Sequence, residues 1–330
     1  MEKSWEYRLR RTEEMSDTRE LVKVSRLFYL KSLSQKEISA KLGISRPQVC
    51  RMLREAREQG IVKITISAPG GSEDFLSERL ESAFGLRNAF VYKTPEVGAD
   101  KSFYEQSARD LKPSFRKYPR IAVMSGRTLS GISRSLSDTG KTGNSFVPLA
   151  GVSGSRGQEF QANEIAREMA VRAGGSYATL NTPLLVQNPE LRTLLCQDPM
   201  IRDILEEGKN ADLVLAGVGS VDENSGSFRS GAYLKEDIKV LKDMGIAGSM
   251  CCSFFDRNGN FMEPEISRRL IGVRLTELRK ALIWVFAGDY ADTQALLGAL
   301  KTGRVAILSV TCAKAQAVLD LLEDAVQLTS

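Results

Sequence analysis

The sequence predicts a two-part chain: an all-α front part built as a helix-turn-helix, then a doubly wound α/β domain. Three observations predict it. Residues 34–66 read SQKEISAKLGISRPQVCRMLREAREQGIVKITI, two capped helical patterns joined at a glycine and trailed by a short strand-like run. Beyond residue 72, short apolar runs alternate with longer amphipathic stretches, the pattern of parallel strands with helical crossovers. Between them APGGS, residues 68–72, offers no core-forming side chain and reads as a linker. The expected organisation is an arm at 1–17, a DNA-binding domain at 18–67, the linker, and a ligand-binding domain at 73–330.

The arm is polar and mixed in charge, with Trp5 and Tyr7 as its aromatic residues. Thr18 caps a first helix with Leu21, Val24, Leu27 and Phe28 on its inner side. Ser34 caps the second, and Glu37 three residues on completes a capping box. Ile38 and Leu42 give that helix an apolar face, and Gly43 supplies the left-handed residue that closes it. Ser45 caps the third helix. Pro47 is tolerated in its first turn, where backbone N–H groups lack helical partners. Val49, Leu53 and Ala56 face inward, while Arg46, Gln48, Arg51 and Arg54 fall off that side.

Two short helices joined by a tight turn, the second basic on its exposed side, suit the DNA major groove. Arg46, Gln48 and Arg51 are expected at base edges, with Gln pairing to adenine and Arg to guanine, and the capping Ser45 is expected among the DNA-binding residues. Gln35, Lys36, Arg54 and Lys63 are expected on phosphates, which position without specifying. Charge by segment agrees. Residues 1–67 hold 15 Lys and Arg against 9 Asp and Glu, a net of +6, whereas the remainder holds 31 against 32. Such a local surplus neutralises phosphates.

Composition removes several classes. The chain has no histidine, which excludes a Ser-His-Asp triad, a Cys-His pair and imidazole metal ligation. Its five cysteines, Cys50, Cys196, Cys251, Cys252 and Cys312, form no CxxC pair, so no zinc site or disulfide framework is expected. No run reaches the ~20 apolar residues of a membrane helix, and no signal core follows the charged start. A cytoplasmic protein without a cofactor is expected, with no membrane partner.

In the second part, seven runs read as strands buried on both faces: NAFVY, RIAVM, FVPLA, SYATL, ADLVLAGVG, ALIWVFAG and RVAILSV. Ligands in open parallel sheets sit beyond the carboxyl ends of the strands. The loops there are SGRTLSG (125–131), GVSGSRG (151–157), GVGS (217–220) and AGDY (287–290). Glycine lets backbone approach a ligand, and a following helix N-terminus favours an anion. Ser125, Gly126, Arg127, Thr128, Gly151, Ser153 and Asp289 are the candidates these loops supply. Elsewhere the plain readings are structural: Asn163 as an early-turn helix residue, Asp256 in FFDRNGN as an Asx-turn, and Cys251 and Cys252 as buried thiols.

LGISRPQVCRMLREAREQGIVKITI, followed in order by SGRTL, FVPLAG, NEIA, TPLLVQNPELR, ADLVLAGVGS, FFDRNG and RRLIGV, resembles the SorC family of sugar-responsive bacterial transcription regulators. The resemblance covers about residues 18–310. It implies a winged helix-turn-helix joined to a Rossmann-like effector domain similar to sugar-phosphate isomerases. It also implies a homo-oligomer, dimer or tetramer, on double-stranded operator DNA, and a carbohydrate effector, commonly phosphorylated. By position it places Gly126, Arg127 and Thr128 near a phosphate, Gly151 and Asn163 in neighbouring pocket elements, and Asp256 on sugar hydroxyls.

The chain departs from the family pattern at Ser125, where the family has tryptophan, and at Val152, a second glycine in the family. In AGG-x-x-K, Asp289 replaces glycine and Asp292 replaces lysine. That is a change of about three charges if all ionise. Within the range of sugar, polyol or sugar phosphate, the expectation is an effector less negative than a sugar phosphate, namely a free sugar or polyol. The alternative is an isomerase-like enzyme with an attached DNA-binding domain. The missing histidine counts against it.

Overall fold

The computed structural model describes residues 18–31, 33–62, 71–154, 158–223, 225, 228 and 233–327. The chain divides into two compact units, Met1–Ser67 and Ala68–Ser330. Lys63 and the trailing strand-like run IVKITI beyond Val62 lie outside the described residues, as does the arm.

The front unit contains α1 (Thr18–Ser25), α2 (Gln35–Leu42) and α3 (Arg46–Glu58). Its core is Leu21, Val24, Leu27, Ile38, Val49, Met52, Leu53 and Ala56, all buried. The Ser34 hydroxyl accepts the Glu37 N–H, and the Glu37 carboxylate accepts the Ser34 N–H at 2.8 Å. Gly43 takes φ +67° and Ser45 caps α3 through the Gln48 N–H. One feature departs from the sequence reading. After Ser25 the first helix widens into a π-helical turn, Arg26–Leu30. A regular α-helix would bring Leu30 onto the face of Leu27 at i+3. The wider turn instead leaves Leu27 buried and Leu30 76 % exposed.

The second unit opens with α4 (Ser72–Phe84), so Ser72, placed in the linker by composition, is already helical, and Gly71 precedes it with φ +80°. Then follow β1 (Asn88–Tyr92), α5 (Ala99–Leu111), β2 (Arg120–Val123), α6 (Arg127–Ser135) and β3 (Ser145–Pro148). Next come α7 (Ala162–Ala173), β4 (Ser176–Tyr177), α8 (Pro189–Gln197), α9 (Pro199–Lys209), β5 (Leu213–Ala216) and β6 (Gly219–Ser220). The chain continues with α10 (Lys235–Asp243), β7 (Ile246–Met250), β8 (Ser253–Asp256) and β9 (Phe261–Met262). It closes with β10 (Leu282–Ala287), α11 (Thr293–Lys301), β11 (Ile307–Thr311) and α12 (Cys312–Gln327).

All seven apolar runs become strands of one parallel sheet, in the order β1-β11-β10-β5-β2-β3-β4. Side chains on a strand alternate faces, and both faces are covered except at the edge strand β4, where Ser176 and Tyr177 are exposed, contrary to the expectation for SYATL. In β5, Val214 and Ala216 enter a core with residues of α4, α9, α11 and α12. Leu213 and Leu215 enter a second core with residues of α5, α6 and α7. This is the doubly wound arrangement.

A second sheet, β6-β7-β8-β9, is antiparallel and was not legible in the sequence. The turn from β7 to β8 is Cys251-Cys252, both left-handed at φ +46° and +50°. Such two-residue turns favour Asn-Gly, so the pair gives no hairpin signal. Non-glycine residues pay on the order of 1–2 kcal/mol each for this backbone. Burial offsets the cost: Cys251 packs into one core cluster and Cys252 into another. That burial also pushes both thiols up from their ordinary pKa, so they are poor nucleophiles.

Candidate functional site

Two surfaces carry chemistry. On the front unit, Lys36, Ser45, Arg46, Gln48, Cys50, Arg51 and Arg54 are exposed, and Gln35 is half-buried. Val49, Met52, Leu53 and Ala56 fix the inner side of α3. With 3.6 residues per turn, the directly opposite side carries Pro47, Arg51, Arg54 and, at the end of the helix, Glu58. Arg46 and Cys50 lie on one flank and Gln48 on the other. Arg54, assigned above to phosphates, therefore points outward alongside Arg51.

The second surface lies where the strand order reverses. From β2 the chain winds through β3 and β4 to one edge; β5, β10 and β11 succeed one another in the opposite direction. At such a switch point the loops diverge and leave a crevice. A cavity of about 490 Å³ opens there. Arg127, at the start of α6 after β2, forms one wall, and Ser220 and Asp222 come from the segment after β5. Tyr290, Ala291, Asp292 and Thr293 follow β10, and Lys314 sits in the first turn of α12 after β11.

The local contacts set this site. The Lys314 ammonium donates to the Thr293 hydroxyl at 3.0 Å. Asp292 caps α11 by accepting the Ala295 N–H at 2.8 Å, so its own carboxylate answers that helix N-terminus. Asp289 accepts from the Thr311 hydroxyl. The Arg127 guanidinium lies 5.6 Å from the centre of the Tyr290 ring. By contrast α6 begins at Gly126, φ +148°, with no side-chain cap. Asp100 and Tyr104 of α5 border the same group. Burial, and then the Asp289 charge, hold the Asp100 carboxyl above its ordinary pKa against the pull of Arg127. Burial, then Asp100, raises Tyr104 likewise.

The expected effector residues therefore separate. Arg127 and Asp292 line the cavity, and Ser125, Gly126, Thr128 and Asp289 belong to its loops. Gly151, Ser153 and Asn163 lie beyond β3. Gly151 has a steric reason: a Cβ there would meet the Thr182 and Pro183 carbonyl oxygens at 2.6 Å. Ser153 donates its N–H to the side-chain oxygen of buried Gln161 at 3.0 Å, and Asn163 accepts the Leu180 N–H at 2.9 Å. These contacts order the segment beyond β3; the Gly126 N–H donates to Phe160 O at 2.8 Å, which ties that segment to the Arg127 loop.

Asp256 is not brought to the cavity. Its carboxylate accepts N–H groups of Asn258 and Asn260 at 2.8 and 2.9 Å, an Asx-type turn. Burial pushes its pKa up, but these bonds outweigh it and hold the carboxyl below the usual range. The turn packs against Gly298 and Lys301, at the far end of α11 from Asp292.

Lys314, Thr293, Asp222 and Asp100 are not among the residues expected from the sequence. Lys314 matters most, because it supplies an ammonium that a count restricted to AGDYAD omits. The apolar run RVAILSV marked a strand, and its carboxyl end pointed to Lys314. Among the described residues no helix is long and apolar enough to cross a membrane, and no acidic or cysteine cluster is arranged to hold a metal ion.

The profile of a family described as "Putative sugar-binding domain" matches residues 72–320. A deoxyribonucleoside regulator of Bacillus subtilis is 31% identical over 291 residues, covering 86% of this chain and 92% of that protein. The sorbitol operon regulator of Klebsiella pneumoniae is 26% identical over 82% of this chain and 87% of its own length. The crystal structure of full-length SorC, the sorbitol operon regulator from that organism, superposes with a TM-score of 0.72 at 25% identity, covering 91% of this chain and 98% of that one. These relatives are transcriptional regulators and not enzymes, which removes the isomerase alternative. A helix-turn-helix front unit, a doubly wound sheet with a crevice at its switch point, and this set of relatives lead to one assignment: the chain belongs to the SorC family of sugar-responsive bacterial transcriptional regulators.

Proposed function

We propose that α3 reads operator DNA and that a carbohydrate of low net charge, bound at the switch-point cavity, controls that binding. The charge balance of the lining supports the effector class. Arg127 and Lys314 face Asp222 and Asp292, so the cations and carboxylates cancel, and Asp289 adds a carboxylate nearby. A dianionic phosphate would have to overcome that balance. One charge contact at ~4 Å is worth about 4 kcal/mol at an effective dielectric of ~20, before screening. The N-terminus of α11, otherwise a phosphate seat, is answered by Asp292. Calorimetric titration of a sugar panel in free and phosphorylated form checks the reading. Binding of a free sugar at least as tight as of its phosphate is expected. Tight binding of phosphates alone would overturn it.

The effector shifts DNA affinity only by its different affinity for the two states of the protein. One recognition helix spans a single half-site, and two-fold operators are read by paired subunits. A homo-oligomer, dimer or tetramer, is accordingly proposed for this cytoplasmic regulator. Light scattering of the purified chain with and without operator duplex should give a multiple of the 36.4 kDa protomer. A monomer under both conditions would refute this part.

A further inference from the structure

We infer that Tyr290 is a stacking platform, and that the effector is therefore a closed-ring carbohydrate or ring-bearing derivative rather than an open-chain polyol. The inference rests on the cavity being the effector site. Tyr290 is 75% exposed, the most exposed aromatic ring among the described residues, and it forms part of the cavity wall. Exposure of a single ring is ordinary; what marks Tyr290 is that its exposed ring lines the crevice beside charged groups, with an apolar face and a polar hydroxyl to offer a ligand. The Arg127 guanidinium, 5.6 Å from the ring centre, restrains its orientation by a cation–π contact.

The rest of the lining complements a ring. A pyranose or furanose has an apolar C–H face and a rim of hydroxyls. The face lies on an aromatic ring; the rim needs acceptors and donors around it. Asp222 and Asp292 are acceptors with several lone-pair sites each, and Lys314 and Arg127 are donors. An alditol of the same composition presents the hydroxyls but no continuous apolar face. It gains from the carboxylates and little from Tyr290. The cavity, at about 490 Å³, has room for such a ring with a substituent.

The test uses the full-length protein and two panels: methyl pentosides, methyl hexosides and deoxyribonucleosides as locked rings, and the matching alditols. Thermal shift finds binders and calorimetry measures them on wild type, Tyr290→Ala and Tyr290→Phe. The inference expects ring compounds to bind, Tyr290→Ala to weaken them about tenfold, and Tyr290→Phe to stay within about twofold. The ligand-free melting temperatures of both variants should match wild type, because the side chain is exposed. Alditols that bind as tightly as rings, or ring affinities indifferent to Tyr290→Ala, overturn the platform while leaving the cavity as the effector site. Silence from both panels overturns the platform, and the free-versus-phosphorylated sugar titration then decides separately on the effector class.

Discussion

Arg51→Ala should lower affinity for the preferred operator by roughly 10- to 100-fold and flatten the preference at one base position. Arg51 stands on the outward side of α3, opposite the buried Val49, Leu53 and Ala56. A bidentate Arg–guanine pair carries about 1–3 kcal/mol of discrimination. Lys36→Ala, on the preceding helix, should behave differently. It should weaken all duplexes by a similar factor and reduce the slope of log affinity against log salt by about 1. Site selection from a random duplex library, followed by titrations at several salt concentrations, separates the two. Equal loss of sequence preference in both variants would remove Arg51 from the base-reading set. Arg54 shares its outward position, so Arg51→Ala combined with Arg54→Ala should leave mainly salt-driven binding.

Ile38→Ala should unfold the front unit while leaving the second unit intact. Ile38 is fully buried in a core of eight buried side chains, against which only partly buried apolar residues such as Phe28, Leu42 and Ile44 pack. Truncating a buried isoleucine costs about 2–5 kcal/mol. A small domain holds only about 5–15 kcal/mol in total, and one this short sits at the lower end. Calorimetry of the full chain should show the front transition shifted down or lost and the larger transition unchanged. Operator binding should vanish at the temperature where the front transition disappears. A single unshifted transition would mean that the two units do not melt separately.

Much of this architecture was legible in the sequence because local chemistry and tertiary burial agreed. Ser34 with Glu37, Gly43 and Ser45 act within a few residues, and each does in the structure what its side chain allows. The inner apolar runs were readable because a strand covered on both faces needs little else, whereas SYATL forms only a short, exposed edge strand. Where the reading failed, the deciding interactions were non-local. The β7–β8 turn uses two cysteines in a glycine-like backbone, tolerated only because distant clusters bury them. Ser72 looked like linker by composition, yet it opens a helix. Lys314 reaches the cavity only because β11 lies beside β10, an adjacency the chain order alone does not give. Asp256 had its plain reading as a turn residue in the sequence, and its bonds to Asn258 and Asn260 show that reading holding.

The crevice takes Arg127 from a helix on one side of the sheet and Thr293 and Lys314 from helices on the other. A guest that touches all three would rivet the two halves of the sandwich across the strands between them. Occupancy would then resist relative movement of the two slabs, and the outer surface of either could register it without any wire of residues between.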